Sequence, residues 1–470
     1  MEARGLLLRG GTVVSDTQML QADVLIRGEK IVGLGTELPA PAGIEVVDVE
    51  GMLVLPGVVD AHTHIQLDTG IYQTPDDWET ETRAAALGGV TTVIDFATQF
   101  GGQTFEEALA ARLEEAAASS IDYALHMMIT DVPAGSEDEL GALPNLGIQS
   151  IKLYTTYRPN YYADDAVLLR LLEAAGRYGL LSLVHCENDA LVSAQTQSLI
   201  DAGETSWHFH GAARPALAEQ EAAARVLLLA SAVDAPVVIA HNSTARTAAM
   251  VADARQRGQA AFCETAPQYL LLDQTLYEGA EPWRYILQPP LRAAEEREKL
   301  WSLVSAGHVD MLITDHCDYT VAQKRAVDDF TKTPGGLPGL ETLLPLIATY
   351  GVGEGRIDWT DLVRMLSANP ARLYNLWPAK GSLLPGSDAD IVIYDPTVSG
   401  MITAERLHML AGYTPYEGLS VLGGVNATLR RGEWLVRDGV FVGQGGTGRY
   451  LPRGPLFWAD PGGIFGPPQG

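Results

Sequence analysis

Cysteine is scarce in this sequence. Only Cys186, Cys263 and Cys317 occur among 470 residues, too few for a disulfide framework. Residues 1–8 lack a basic segment followed by a long apolar run, so we expect no secretory signal. No stretch reaches the roughly 18 apolar residues that a membrane span requires. Together these absences predict a cytoplasmic protein without a membrane partner.

Basic residues are also few. The chain has 32 Lys and Arg against 59 Asp and Glu, and a formal net charge of −27. That balance argues against nucleic acid or an anionic membrane as a partner. With 47% hydrophobic and 19% charged residues, the composition is that of a folded chain, long enough for a large domain and a smaller one.

Apolar strands alternate with helical patterns through the middle of the chain, which is typical of βαβ units and a parallel sheet. Ala- and Leu-rich helices such as 105–118 and 218–232 separate the strands. Eight strands can be counted: Val54–Asp60, Thr91–Ala97, Tyr123–Thr130, Ser150–Thr155, Leu181–Glu187, Pro236–Asn242, Ala260–Thr265 and Met311–Asp315. The pattern predicts an α/β fold, a (β/α)₈ barrel of the TIM type.

The two ends of the chain have a different pattern. Short runs rich in β-branched residues, such as 6–14 and 433–441, are interrupted by glycine turns. They predict one small β-sandwich domain assembled from both termini. We therefore expect part of that domain at 1–55, the barrel at 56–378, the rest of the domain at 379–442, and a Gly/Pro-rich tail at 443–470.

Polar residues stand at the ends of five predicted barrel strands, where barrel enzymes place their active sites. They are His62, His64, Lys152, His185, His241 and Asp315. A His-x-His pair alone is a weak signal and also fits a structural histidine pair. Five strand ends that converge on one mouth favour a metal site, because imidazole and carboxylate suit first-row cations such as zinc.

Lys152 is unusual because it interrupts an apolar strand in a chain with few lysines. A buried ammonium is costly unless it is paired. A salt bridge, or a side chain that extends to solvent, would also explain this residue. Glu187 lies two residues beyond His185, a spacing that suits a hydrogen bond to the histidine.

Several segments together resemble the dihydropyrimidinase and hydantoinase family of cyclic amidohydrolases. They are PGVVDAHTHIQL (56–67), SIKLYTTY (150–157), VHCEN (184–188), TDHC (314–317), SANPAR (367–372), and KGS through GSDAD (380–390). The resemblance extends from about residue 6 to about residue 442, which is almost the whole chain.

This resemblance implies a pair of divalent cations. The residues that would hold one of them are His62, His64, Lys152 and Asp315, and those that would hold the other are Lys152, His185 and His241. Lys152 would react with CO₂ to form a bridging carbamate, N6-carboxylysine. Zinc is the expected metal, and manganese, cobalt or nickel are alternatives.

The resemblance also implies a mechanism. A hydroxide that bridges the metals would attack the ring carbonyl of a cyclic amide. Asp315 would take its proton and pass it to the leaving nitrogen. Tyr157 would stabilise the oxyanion. Packing is the other explanation for this tyrosine.

The residues that would contact substrate are Tyr157, Gln288, Pro338, Leu67 and Tyr154. Relatives usually have a serine where Gln288 precedes PPLR (289–292), and often an asparagine in the loop 336–339, where this chain has Pro338. In the family these two positions bind the amide edge of the substrate, largely through main chain. Both differences therefore bear on the choice of ring. Leu67 and Tyr154 are consistent with an apolar pocket for a ring substituent.

The implied reaction is hydrolytic ring opening of cyclic amides by a homotetramer. Dihydropyrimidines would give ureido acids, and 5-substituted hydantoins would give N-carbamoyl amino acids. Allantoinase is an alternative. Dihydroorotase fits less well, because it typically has an arginine where this chain has Gln66. A non-catalytic scaffold of the same fold, as in collapsin response mediator proteins, is disfavoured because every ligand position is filled.

Overall fold

The computed structural model describes residues 5–456, and its strands and helices are numbered in chain order. Both ends of the chain contribute to one mixed sheet of nine strands. These are β1 (Gly5–Val14), β2 (Met19–Arg27), β3 (Lys30–Gly35), β4 (Glu45–Asp48), β5 (Leu53–Pro56), β14 (Ile391–Met401), β15 (Ser420–Arg430), β16 (Glu433–Arg437) and β17 (Val440–Phe441). Their order is β17-β16-β15-β14-β5-β1-β2-β3, with β4 beside β1.

The core of this sheet mixes residues from both ends of the chain. Leu6 and Val24 belong to one buried cluster with Ile391 and Leu429. Strand β5 joins the two halves, because it pairs with β1 on one side and with β14 on the other. The prediction of a β unit built from both termini is confirmed.

Eight parallel strands form the barrel, in the order in which they occur in the chain. They are β6 (Val58–Asp60), β7 (Val90–Gln99), β8 (Asp122–Ile129), β9 (Ser150–Tyr154), β10 (Leu181–His185), β11 (Val237–Ile239), β12 (Ala261–Thr265) and β13 (Met311–Leu312). Just beyond β6 and β13 the chain closes the cylinder, since the His64 N–H donates to the His316 carbonyl at 2.7 Å. The predicted (β/α)₈ barrel is confirmed.

Helices occupy most of the connections between barrel strands, and further helices follow the last barrel strand. They are α1 (Trp78–Leu87), α2 (Phe105–Ala116), α3 (Asp165–Arg177), α4 (Asp189–Ala202), α5 (His210–Ala213), α6 (Ala216–Ala232), α7 (Ala245–Gln256), α8 (Pro267–Leu271), α9 (Ala294–Ser305), α10 (Val321–Lys324), α11 (Leu343–Ile347), α12 (Trp359–Val363) and α13 (Asn369–Leu373). Helices α1 and α2 begin with capping boxes on Asp77 and Thr104. Among the described residues, no helix has the length and apolarity needed to cross a bilayer.

The predicted first barrel strand, Val54–Asp60, was wrong in one respect, because it is two strands in two sheets. Leu53–Pro56 belongs to the terminal sheet and Val58–Asp60 to the barrel. Between them, a side-chain carbon on Gly57 would stand 2.1 Å from Oγ1 of Thr91, so the crossing requires glycine. Both strands are fully buried, and an apolar run does not reveal such a change of sheet.

The segment 443–456 runs along the base of the barrel, where strands begin. Gly446 N–H donates to the Ala118 carbonyl, Leu451 N–H to that of Tyr123, and Arg453 N–H to that of Gly147. The rest of the predicted tail, 457–470, lies outside the described residues.

Candidate metal centre

The polar strand-end residues meet at the mouth of the barrel. His62 and His64 follow β6, Lys152 lies in β9, and His185 ends β10. His241 and Asp315 follow β11 and β13. Because all eight strands are parallel, their C-terminal ends share one face, and side chains from five strands reach the same space.

One group of ligand atoms surrounds Asp315. Its Oδ1 lies 3.3 Å from Nε2 of His62 and 3.5 Å from Nε2 of His64. The Nζ of Lys152 lies 3.4 Å from the same His62 nitrogen. Donor atoms of His62, His64 and Asp315 all lie within 4.8 Å of one another, which suits a single cation.

A second group consists of His185 and His241. Nδ1 of His185 lies 3.0 Å from Nε2 of His241. The His62 and His241 rings, with centroids 5.4 Å apart, connect the two groups. The structure thus brings together all six predicted metal ligands.

Three residues of the site have left-handed backbone conformations. Their φ angles are 74° at Tyr157, 32° at His241 and 50° at Asp315. Side chains other than glycine rarely adopt this region, and such strain is concentrated at functional sites. The kinks turn side chains at the strand ends toward the mouth, a feature that the sequence did not predict.

Burial keeps three imidazoles of the site neutral. It lowers the pKa of His62, His185 and His241 below the ordinary histidine value, and the nearby Lys152 adds to the effect. Burial opposes ionisation of Asp315, but His241 and His64 outweigh it and hold the pKa of this carboxyl below its usual range. Neutral imidazoles beside a carboxylate are in the protonation states that bind a divalent cation.

Lys152 is 1% exposed and has no carboxylate within ion-pair distance among the described residues. Its Nζ lies 5.5 Å from the centre of the Phe96 ring and 5.2 Å from that of Tyr154. Burial lowers the pKa of Lys152 to about 8, although Glu264 and Asp315 act in the opposite direction. Neither a salt bridge nor an extension to solvent explains this residue.

Two buried glutamates orient the histidines. Glu187 accepts a hydrogen bond from Nε2 of His185 at 2.8 Å and is clamped by Arg214 at 2.5 and 3.0 Å. Glu264 accepts one from Nδ1 of His62 and another from the His241 N–H at 3.2 Å. Such partners fix the tautomer and leave the opposite nitrogen free for a metal.

Glu264 and Arg214 were missed in the sequence. Glu264 is an acidic residue inside a fully buried strand, so the reasoning applied to Lys152 could have found it. Arg214 lies in a short connection between α5 and α6, and nothing in its local sequence marks it.

Tyr157 and Tyr154 lie beside His185. The ring centroid of Tyr157 is 5.1 Å from that of His185, and that of Tyr154 is 5.5 Å from it. The Arg214 guanidinium lies 5.4 Å from the centre of the Tyr157 ring. Burial raises the pKa of Tyr157, against the opposing effect of Arg214, so its hydroxyl keeps its proton and can donate a hydrogen bond.

The other predicted substrate contacts lie on separate loops. Leu67 follows the His-x-His pair, Gln288 precedes a cis proline, and Pro338 is buried one residue before Gly339, whose N–H reaches His316. Among the described residues, no hydrogen bond joins the Gln288 side chain to the metal-site histidines. Their predicted role therefore depends on a bound substrate.

Hydrogen bonds within the protein leave some nitrogen atoms of the site without partners, and two divalent cations would fit this donor set. Nδ1 of His64 and Nδ1 of His241 are buried without a hydrogen-bond partner. Nδ1 of His185 and Nε2 of His241 face each other at 3.0 Å. One proton between them makes a hydrogen bond, but it leaves Nδ1 of His241 without a partner. Six nitrogen and oxygen donors in this arrangement suit first-row metals.

Comparisons with known proteins agree with this geometry. The amidohydrolase family matches residues 53–435. D-phenylhydantoinase of Escherichia coli O81 (strain ED1a) is 40% identical over 457 residues, covering 96% of this chain and 98% of that protein. The solved dihydropyrimidinase from Brevibacillus agri NCHU1002 has a TM-score of 0.94 at 37% identity, covering 96% of this chain and 99% of that one. The solved D-hydantoinase from Bacillus sp. AR9 also has a TM-score of 0.94 at 37% identity, covering 96% of this chain and 99% of that one.

A parallel barrel with imidazoles and a carboxylate gathered at its mouth is an arrangement that suits a barrel hydrolase with a metal site. The chain belongs to the amidohydrolase family and, within it, to the hydantoinases and dihydropyrimidinases, hydrolases of cyclic amides. The resemblance seen in the sequence is confirmed.

Proposed function

We propose that this protein opens the rings of cyclic amides by hydrolysis. Dihydropyrimidines would give ureido acids, and 5-substituted hydantoins would give N-carbamoyl amino acids. The observation that carries the proposal is the convergence of donor atoms from five strands at one barrel mouth. No finding favours allantoinase, and the filled ligand positions argue against a non-catalytic scaffold.

The proposed cofactor is a pair of divalent cations. The residues that would hold the first are His62, His64, Lys152 and Asp315, and those that would hold the second are Lys152, His185 and His241. Zinc suits these donors, and manganese, cobalt or nickel would also bind. When bound, such cations polarise a carbonyl and lower the pKa of water toward about 7.

Lys152 would join the two groups as a carbamate formed with CO₂. An ammonium cannot ligate a metal, but a carboxylated lysine offers two anionic oxygens. The reaction needs the neutral amine, and the lowered pKa of about 8 supplies an appreciable neutral fraction near neutral pH. The 3.4 Å distance between Nζ of Lys152 and Nε2 of His62 supports this role, because a carbamate on Nζ would lie close to the histidines.

Asp315 would carry the proton, and Tyr157 would stabilise the oxyanion. As the attacking water adds to the ring carbonyl, Asp315 takes a proton from it. The same carboxyl then donates this proton to the ring nitrogen as the C–N bond breaks. The Tyr157 hydroxyl donates a hydrogen bond to the oxygen that becomes negative. Water is consumed, one N–H is formed, and the carboxylic acid product releases its proton to solvent at neutral pH to become a carboxylate.

The proposed substrate contacts are Tyr157, Gln288, Pro338, Leu67 and Tyr154. Tyr154, Tyr157 and Tyr161 form an aromatic group beside His185. The ring centroid of Tyr154 lies 5.8 Å from that of Tyr157 and 5.5 Å from that of Tyr161. An aromatic wall of this kind would accept an aryl or alkyl group on the ring. By family resemblance, we also propose a cytoplasmic homotetramer.

A substrate panel with metal analysis on the same sample tests the proposal. Purified enzyme is assayed with dihydrouracil, hydantoin, 5-phenylhydantoin, allantoin and dihydroorotate. We expect turnover of dihydrouracil or the hydantoins, with about two metal ions per chain. Preference for allantoin or dihydroorotate would refute the proposed substrate, and a metal-free, inactive protein would restore the scaffold hypothesis.

A further inference from the structure

A second cluster of ionisable side chains includes the residue next to Asp315 in the chain, beyond β13. It comprises Asp76 and Glu81 around the start of α1, and His316 and Asp318 beyond β13. All four side chains are buried, with exposed fractions of 2% or less. Ligand atoms from the four lie within 4.8 Å of one another.

The carboxylates of this cluster lack hydrogen-bond donors. Neither oxygen of Glu81 and neither oxygen of Asp318 has a hydrogen-bond partner, although both are buried. Asp76 accepts the Leu410 N–H, at 2.9 and 3.2 Å from its two oxygens. Burial and the neighbouring acids raise the pKa of Glu81 and of Asp318 well above their ordinary values. Uncompensated burial of such charges is strongly destabilising.

His316 does not supply the missing positive charge. Its Nδ1 accepts N–H groups from Gly339 at 3.1 Å and Leu340 at 3.4 Å, so that nitrogen carries no proton. The ring is therefore neutral, with its proton on Nε2, which lies 3.0 Å from Oε1 of Glu81 and 3.8 Å from Oδ1 of Asp318. This single N–H lies near two carboxylates, those of Glu81 and Asp318.

Lys324 is the buried ammonium nearby, and it too is engaged elsewhere. Its Nζ donates to the carbonyls of Ile286 at 2.7 Å and Pro334 at 2.9 Å. It attracts Asp318 electrostatically but forms no ion pair with it within 4.0 Å among the described residues. His408 neutralises another neighbour, Glu341, at 2.8 Å.

Another acidic triad in the same chain provides a direct comparison. Asp122, Asp388 and Asp390 also lie within 4.8 Å of one another. There the Nζ of Lys380 lies 2.6, 3.1 and 2.6 Å from the three carboxylates and neutralises them directly. Among the described residues, no lysine or arginine lies between Asp76, Glu81 and Asp318 in the way that Lys380 lies between the other three carboxylates.

We propose that Asp76, Glu81 and Asp318 bind a divalent cation at a structural site separate from the catalytic pair. Three carboxylates and no available imidazole nitrogen favour a hard cation such as Mn²⁺, Mg²⁺ or Ca²⁺. The Leu410 N–H and the Nε2–H of His316 then orient two of the liganding carboxylates, as outer partners do at protein metal sites. The cation ties α1 to the loop that follows Asp315.

Crystals of the metal-loaded enzyme grown with Mn²⁺ test this site by anomalous diffraction at the manganese edge. We expect a peak bounded by the three carboxylates, absent in Glu81→Gln and retained in Glu79→Gln, an exposed control on the same helix. Manganese at the catalytic histidines is the internal positive control. A peak there with none at the carboxylates would show that the proposal is wrong.

Metal counting in solution gives a second measurement. We expect Glu81→Gln, or Asp318→Asn if that variant does not fold, to bind one Mn²⁺ ion fewer per chain in equilibrium dialysis. If protons neutralise the cluster instead, Glu81→Gln mimics the protonated acid. It then leaves the metal count unchanged and keeps or raises Tm, which overturns the proposal. Neither result depends on the catalytic assignment, because the two sites share no ligand.

Discussion

The side-chain amide of Gln288 occupies the space beside Gly335 that the Cβ atom of any other residue would need. A carbon built on Gly335 would stand 1.8 Å from Oε1 and 2.5 Å from Nε2 of Gln288. Among the described residues, no hydrogen bond holds that amide, which leaves it available to a ligand. Residue 335 therefore controls the position of a predicted substrate contact.

Gly335→Ala is expected to displace the Gln288 amide with little loss of stability. Only the flexible end of the side chain must move, so we expect the free energy of unfolding to fall by less than about 1 kcal/mol. If the amide contacts substrate, kcat/KM falls in Gly335→Ala and in Gln288→Ser. The effects of the two substitutions are then not additive in the double variant. Independent, additive changes in kcat/KM would remove Gln288 from the site.

Glu264→Gln is expected to weaken metal binding. The carboxylate accepts from His62 and from the His241 backbone, so it supports both groups of ligands. Loss of such a partner typically lowers metal affinity about 10–100-fold. Competition with a chelator measures the affinity, and Glu278→Gln, on the exposed surface, is the matched control. Equal affinities in the two variants would reduce Glu264 to a packing role.

The sequence predicted which side chains meet at the barrel mouth, although they lie far apart along the chain. In a barrel of parallel strands, all the C-terminal strand ends lie at one mouth. The proximity of His62, Lys152 and Asp315 therefore follows from the topology, without evidence for each pair of residues. The same argument covers Glu187, which is two residues from the histidine it orients.

Contacts that depend on packing between distant loops could not be predicted in this way. Arg214 reaches Glu187 from a helix connection, and Gln288 meets Gly335 only through the folding of two irregular segments. The triad of Asp76, Glu81 and Asp318 likewise combines residues from opposite ends of the barrel sequence. Backbone kinks such as that at Tyr157 depend on their surroundings and have no local sequence signal.

His408 gives a pH dependence of stability away from the metal site. Its Nδ1 lies 2.8 Å from Glu341, and this hydrogen bond raises the pKa of His408. A pKa raised on folding adds stability that is full below the unfolded value of about 6.5 and is lost as pH rises through the folded value. His408→Gln should therefore lower Tm more at about pH 5.5 than at about pH 8.5, as Glu341→Gln should. A larger loss at the higher pH would contradict this.

Asp315→Asn is expected to abolish nearly all turnover. The low pKa of Asp315 keeps the carboxylate ionised and able to accept a proton, which an amide cannot do. General acid–base catalysis contributes about 10²–10⁴-fold, and the same change would remove a proposed metal ligand. The kcat with each substrate is measured alongside metal content. Substantial turnover by this variant would refute its role as proton carrier.

Tyr157→Phe separates oxyanion stabilisation from packing. The ring stays beside His185 and under Arg214, so the fold and the metal ligands should be retained, and only the hydroxyl is lost. Loss of one oxyanion donor costs about 10²–10³ in kcat. Because that hydrogen bond strengthens as the carbonyl oxygen becomes negative, kcat should fall far more than KM rises. Metal content and Tm close to those of the parent protein are the controls. With both retained, an unchanged kcat would mean that Tyr157 packs against the site without taking part in the reaction.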